Sequence, residues 1–109
     1  MDLTQKKCRP CEGGIPKLTL DEAKKLLPQV PSWELEENLL RKNFKFKNFR
    51  EAMKFVNRMA EIADGENHHP DFTVHFNRVE VEIWTHAVGG LSENDFILAA
   101  KLDQLNADG

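Results

Sequence analysis

Along the chain the hydrophobic period switches between helical and strand-like spacing several times. Leu20, Ala23, Lys24 and Leu27 outline a short amphipathic helix. Thr19 is placed as its N-cap, and Glu22 three residues later completes a capping box. Pro28 disfavours helical geometry at the residue before it, so the helix must stop near Leu27, and Pro31 confirms the break. From Trp33 the period becomes two. Trp33 and Leu35 alternate with Ser32, Glu34 and Glu36, and Glu37-Asn38 makes a turn. Leu40, Lys42, Phe44 and Phe46 then share one face against Arg41, Asn43, Lys45 and Lys47. A two-residue turn sets Leu35 opposite Leu40 on the same face, which makes the register self-consistent, with Lys42 the one blemish on the apolar side.

The segment 48–64 has the strongest helical pattern. Phe49, Ala52, Met53, Phe55, Val56, Met59, Ala60, Ile62 and Ala63 fill one half of a wheel, and Arg50, Glu51, Lys54, Asn57, Arg58 and Glu61 the other. Gly65 is the expected residue just past its end, where a left-handed conformation is wanted. A second hairpin follows. Phe72, Val74 and Phe76 alternate with Thr73, His75 and Asn77, and Val79, Val81 and Ile83 with Glu80, Glu82 and Trp84. With Asn77-Arg78 as the turn, Phe76 faces Val79, Val74 faces Val81 and Phe72 faces Ile83. Gly89-Gly90 ends the strand pattern. Ser92 and Asp95 repeat the capping-box spacing before a last helix in which Leu98, Leu102 and Leu105 fall on one side. The order is α-β-β-α-β-β-α. Its expected assembly is an α+β fold, a four-stranded antiparallel sheet with helices packed on one face.

Residues 1–17 break this regularity. Pro10, Gly13, Gly14 and Pro16 interrupt any period, so an irregular leader is expected before a single domain spanning 18–109. The leader holds Cys8 and Cys11, a lone Cys-x-x-Cys. A structural zinc site wants four ligands, and a redox site usually follows a strand at the start of a helix. Two reduced thiols are the expectation, with a half-site completed elsewhere as the alternative.

Composition excludes several classes. The 109 residues suit one domain with one modest core. Forty per cent of residues are hydrophobic and 30% charged, and the net charge of −3 offers no electrostatic case for nucleic acid. No apolar run approaches the roughly 18 residues a membrane span needs, and Met1 to Lys7 lacks the apolar stretch of a signal peptide. A cytoplasmic, reducing location is expected.

The chemistry gathers at Asp64-Gly65-Glu66-Asn67-His68-His69-Pro70-Asp71-Phe72. His68 and His69 enter one end of the third strand. His86 lies three residues beyond Ile83, the expected partner of Phe72, so it leaves that same end of the hairpin. His75 lies near the turn, at the other end. Imidazole titrates nearest neutrality, and three converging imidazoles suit proton transfer. Two other readings stay open at this point: histidines packed or hydrogen-bonded at a sheet end, and a metal site, disfavoured because adjacent side chains seldom reach one ion and no second ligand motif accompanies them.

Asp64, His68-His69-Pro70, Phe72, Thr85-His86, Gly90-Leu91-Ser92 and Asp95 together resemble the signature of the pterin-4a-carbinolamine dehydratases. The similarity extends through Trp33, Phe44-Lys45-Phe46 and the Phe49 helix, covering about residues 19–105. The resemblance implies the derived fold and an enzyme that eliminates water from 4a-hydroxytetrahydrobiopterin to give quinonoid dihydrobiopterin, in tetrahydrobiopterin recycling. It implies no metal and no organic cofactor. Carried over by position, His68 and His86 are acid–base candidates, and His69 orients the pterin and shares in proton transfer. Asp64 orients the histidine pair or holds a pterin nitrogen. Asp95 and Trp33 are substrate-binding candidates, the first also a helix-capping residue and the second also a core residue. A homodimer or homotetramer is implied. The alternative is a non-catalytic protein-interaction or transcriptional-cofactor module on the same fold, with its protein partner unidentified.

Overall fold

The computed structural model describes residues 3–9 and 15–108, so Cys11 and the rest of 10–14 lie outside the described residues. Three α-helices and four strands follow in the expected order: α1 (Leu20–Leu26), β1 (Glu34–Glu36), β2 (Leu39–Lys45), α2 (Phe49–Glu66), β3 (Asp71–His75), β4 (Arg78–Ile83) and α3 (Glu93–Asp108). The strands form one antiparallel sheet in the order β1-β2-β4-β3.

Local sequence sets the early elements as the pattern predicts. The Thr19 hydroxyl accepts from the Glu22 N–H at 3.1 Å, while the Glu22 carboxylate accepts from the Thr19 N–H at 2.8 Å, which closes the capping box of α1. Leu35 pairs with Leu40 across the first hairpin, with Glu37-Asn38 as its loop. On the sheet's covered face lie Leu40, Phe44, Val79, Val81 and Ile83, all buried. Ala52, Phe55 and Met59 of α2, Phe96 to Ala100 and Leu102 of α3, and Ala23 of α1 complete one core. Each large side chain removed from water there contributes about 1.5–3 kcal/mol. Lys42 is reconciled with this face by its partners. Its ammonium donates to Asp103 Oδ1 and Ser32 Oγ, each at 2.7 Å, and sits 4.5 Å from the Phe44 ring centroid.

Three expectations are corrected. The second hairpin turns at Phe76-Asn77, one residue earlier than expected, so Phe72 faces Val81 and Val74 faces Val79. The cause is Asn77, whose backbone carbonyl accepts from Phe46 N–H at 2.8 Å and whose side-chain amide donates to Phe46 O at 3.1 Å. Asn77 thereby continues the β2–β4 ladder, and the positive φ of 53° falls on Phe76. The slip is two positions, so the inward alternation survives.

Gly65 does not end α2. The helix runs to Glu66, and Asn67 takes the left-handed conformation (φ 52°, ψ 41°). Asn tolerates that region through its short polar side chain. The longer helix places His68 directly after the chain reversal, with its N–H donating to Ala63 O at 3.1 Å.

The final helix is not simply amphipathic. Phe96, Ile97, Leu98, Ala99 and Ala100 are consecutive and all buried, so α3 is covered on more than one side. The leader supplies part of that cover. Leu3–Gln5 form a short 3-10 turn, and Leu3, 1% exposed, joins the core packed against α3.

Candidate functional site

The end of the sheet where β3 begins and β4 finishes gathers the candidate residues. Asp71 opens β3 opposite Glu82, one residue before the end of β4 at Ile83, so the histidines before β3 and those after β4 lie toward that end. His75 is paired with Arg78 beside the turn, at the opposite end, and is exposed.

His68 is the buried member of the set, 5% exposed. Its Nε2–H donates to Asp95 Oδ1 at 2.7 Å. Asp95, 0% exposed, lies in the first turn of α3 and receives two further donors on Oδ2: the Thr85 hydroxyl at 2.9 Å and the Ser92 N–H at 2.8 Å. A carboxylate buried this completely needs such donors to offset its lost hydration, and a helix N-terminus favours its charge. The Ser92 hydroxyl is spent on Thr85 Oγ1 at 2.7 Å, so only the carboxylate half of the expected capping box forms. Asp95 therefore joins three elements at one point: the α2 exit, the β4 exit and the start of α3.

His69 is exposed, and its Nε2–H donates to Asp64 Oδ1 at 2.9 Å. That bond folds the last turn of α2 back onto the His-His pair. His86 is also exposed and begins a short 3-10 turn, His86–Val88. The loop carrying it is closed at its base, where Thr85 N–H donates to Gly90 O at 2.8 Å. Gly89 makes the closure with φ 64°, a value glycine adopts without a Cβ penalty.

Two residues outside the sequence reading contribute to this geometry. The Trp84 indole stacks on the His86 imidazole, with centroids 3.8 Å apart. The indole N–H of Trp84 in turn donates to Asp71 Oδ2 at 3.2 Å. Trp84 was readable only as an alternating polar-face position and Asp71 only as a member of the 64–72 stretch, and nothing in their spacing announced a stack. Trp33 is placed elsewhere. It is 3% exposed, meets Phe44 edge-on, and its indole N–H donates to Asp103 Oδ1 at 3.0 Å. Asp103 lies eight residues along α3 from Asp95, about 12 Å at the helical rise, so the structure does not bring Trp33 to the histidines.

The arrangement offers two solvent-facing imidazoles, His69 and His86, and a buried imidazole oriented by a carboxylate, all toward one end of the sheet. Each histidine rests on a named partner: Asp64, Trp84 or Asp95. Imidazoles are the side chains suited to giving and taking protons near neutral pH. Among the described residues no group of three His, Cys, Asp or Glu side chains is placed to hold a metal ion, and no helix is long and apolar enough to cross a membrane.

Comparison with known proteins points in one direction. Residues 16–105 match the family model described as pterin 4 alpha carbinolamine dehydratase. A Nitrosomonas europaea protein is 52% identical over 105 residues, covering 95% of this chain and 93% of its own length. One from Rubrobacter xylanophilus is 48% identical over 105 residues, covering 95% and 98%. Both carry the name "Putative pterin-4-alpha-carbinolamine dehydratase". A Brucella melitensis crystal structure described as a transcriptional coactivator/pterin dehydratase superposes with a TM-score of 0.78 at 30% identity, over 83% of this chain and 98% of that one.

Proposed function

This chain belongs to the pterin 4 alpha carbinolamine dehydratase family, and from that membership we propose that it is the enzyme that dehydrates 4a-hydroxytetrahydropterins. The reaction breaks the C4a–O bond of the carbinolamine. An acid protonates the leaving hydroxyl, a base removes the ring N–H proton, and the products are water and the quinonoid dihydropterin. The two proton transfers balance, so the histidines finish the cycle after one proton is returned through water.

The observation that carries the proposal is the buried His68–Asp95 contact of 2.7 Å at the same sheet end as exposed His69 and His86. The carboxylate fixes which His68 nitrogen bears a proton and holds the ring in one orientation. His68, His69 and His86 are the acid–base groups of this reading, each typically worth about 10²–10⁴-fold. Asp95 holds His68 and Asp64 holds His69, while His86 rests on Trp84, and no metal or organic cofactor takes part. The reaction belongs to tetrahydrobiopterin recycling in the cytoplasm.

A homo-oligomer is part of the same reading. The β3 edge carries Phe72 and Phe76 at 46% and 70% exposure, and an uncovered strand edge with apolar side chains favours pairing with a second copy. The test of function is the dehydration assay. Wild-type protein should accelerate loss of the 4a-hydroxyl well above the buffer rate, and no acceleration would sink the proposal.

A further inference from the structure

We propose that the N-terminal leader is a positioning strap for the His68–Asp95 pair, anchored by Asn94 and Glu66, an inference that rests on the dehydratase reading above. His68 and Asp95 come from different elements, the exit of α2 and the entry of α3, separated by a whole hairpin. Their mutual placement depends on how those two helix ends are held together.

The leader touches both. Glu66, the last residue of α2 and two before His68, accepts the Cys8 N–H on Oε1 at 2.8 Å. Its other oxygen accepts from the Lys101 ammonium of α3 at 2.7 Å. Asn94, immediately before Asp95 and 1% exposed, makes a two-way pair with the leader backbone. Its Oδ1 accepts the Arg9 N–H at 2.9 Å, and its Nδ2 donates to Arg9 O at 2.7 Å. The Cys8 thiol donates to Asn94 O at 3.6 Å. One residue earlier on α3, Glu93 pairs with Lys6 Nζ at 2.8 Å, and Leu3 is buried against the same helix.

Residues 3–9 thus reach both helix ends, bonding Glu66 two residues before His68 and Asn94 next to Asp95. Only a carboxamide at 94 satisfies both halves of the Arg9 peptide: aspartate lacks the donor and alanine lacks both groups. Burial pushes the Glu66 carboxyl up, but the Lys101 and Cys8 donors and nearby Lys7 outweigh it, leaving Glu66 charged and able to hold both partners. Asn94 and Glu66 are positioning residues; they act through Asp95 and His68. A displacement of about 1 Å at a reacting group costs up to about 10²-fold in rate, which is why such a strap matters to catalysis.

The test uses the full chain. Arg9→Pro removes the N–H that reaches Asn94 from an exposed residue, Arg9→Ala keeps that peptide as the matched control, and Asn94→Ala removes both bonds. The expected result is a roughly tenfold fall in kcat for Arg9→Pro and Asn94→Ala, with KM changed less than about twofold. In both variants the His68 ring titration, followed by NMR without substrate, and one limb of the pH–rate profile should be displaced together. Arg9→Ala should behave as wild type. A folded Arg9→Pro variant with wild-type kcat and wild-type His68 titration overturns the strap, as does a fall in kcat without any His68 displacement. If Asn94→Ala does not fold, Arg9→Pro decides. Wild-type protein without dehydratase activity would sink the functional reading alone, because the His68 titration still tests the strap.

Discussion

Trp84 and His86 lie face to face, their ring centroids 3.8 Å apart and their planes 23° apart. The contact sets the direction of an otherwise exposed imidazole. Trp84 is itself oriented by Asp71. Replacing Trp84 with Leu should release the His86 ring and lower the dehydration rate about tenfold, within the range of a misplaced acid–base group. The half-exposed site on the outer sheet face predicts that the fold survives. Steady-state kinetics with a circular-dichroism melt of the same sample decides, and undiminished activity would remove the stack from the mechanism.

The placement of the four histidines predicts an unequal response to alanine. His68→Ala or His86→Ala should lose about 10²–10⁴-fold in rate, the exposed His86 variant at unchanged stability and the buried His68 variant with some loss, because Asp95 loses a donor. His75→Ala, at the far end of the hairpin and exposed, should lose less than about twofold, since nothing links it to the site. Rates of 4a-hydroxytetrahydropterin dehydration for the three variants, measured side by side, separate these outcomes. A His75 effect equal to that of His86 would contradict the convergence of the set.

Asp95 should matter to stability as well as to rate. It is fully buried and accepts from His68, Thr85 and Ser92. Asp95→Ala strands all three donors and should destabilise the fold by about 3–5 kcal/mol, since each buried donor left unsatisfied costs about 1–3 kcal/mol. Asp95→Asn keeps the shape but turns one donor toward another, with an expected loss of about 1–3 kcal/mol. Urea midpoints at constant slope give both numbers.

Much of this was legible in the sequence because local rules agreed with one another. The alternation Leu40-Lys42-Phe44-Phe46 and Val79-Val81-Ile83 determined the sheet's covered face, and the Thr19/Glu22 box determined the start of α1. His86 was assigned to the His68–His69 end by hairpin register alone, and that placement survived a two-position slip because parity and the end of the hairpin were unchanged. What failed were contacts between distant segments. Asn77 was read as the first turn residue, but with its bonds to Phe46, thirty-one positions away, it is the second. α3 was read as one-sided because its second cover comes from Leu3, in a leader with no period to betray its packing. Trp33 was read both as a substrate-binding candidate and as a core residue, and its burial and its bond to Asp103 agree with the core reading. Trp84 escaped notice because an alternating outward position gives no sign of what it stacks on.

The shifted turn leaves a cost at Phe76. A bulky side chain at φ 53° sits in a sparsely populated backbone region, and 70% exposure means the ring recovers little by burial. Phe76→Asn should therefore raise stability by about 1 kcal/mol, the low end of such strain. Chemical denaturation of both proteins at low concentration checks it. A loss of stability that grows with protein concentration would show instead that Phe76 is covered by a second copy, which sedimentation of the wild type would then confirm.

Cys8 gives the chain an alkaline weakness with a definite sign. Burial first, and the neighbouring Glu66 carboxylate second, push its thiol from 9.0 up to about 12. The folded protein therefore keeps a proton that the unfolded chain releases near pH 9. Stability from the neutral thiol is fully present below about pH 9 and is lost steadily as pH rises toward about 12. Wild-type protein should lose urea resistance faster than Cys8→Ala between about pH 9 and 10.5, with parallel curves below about pH 8. The same protonation predicts slow alkylation. In a Cys11→Ser background, iodoacetamide at pH 8.5 should modify Cys8 many times more slowly in folded protein than in urea, because the thiolate is the nucleophile. Equal rates in the two states would show that the leader does not hold Cys8 against α3, and would weaken the strap at its centre.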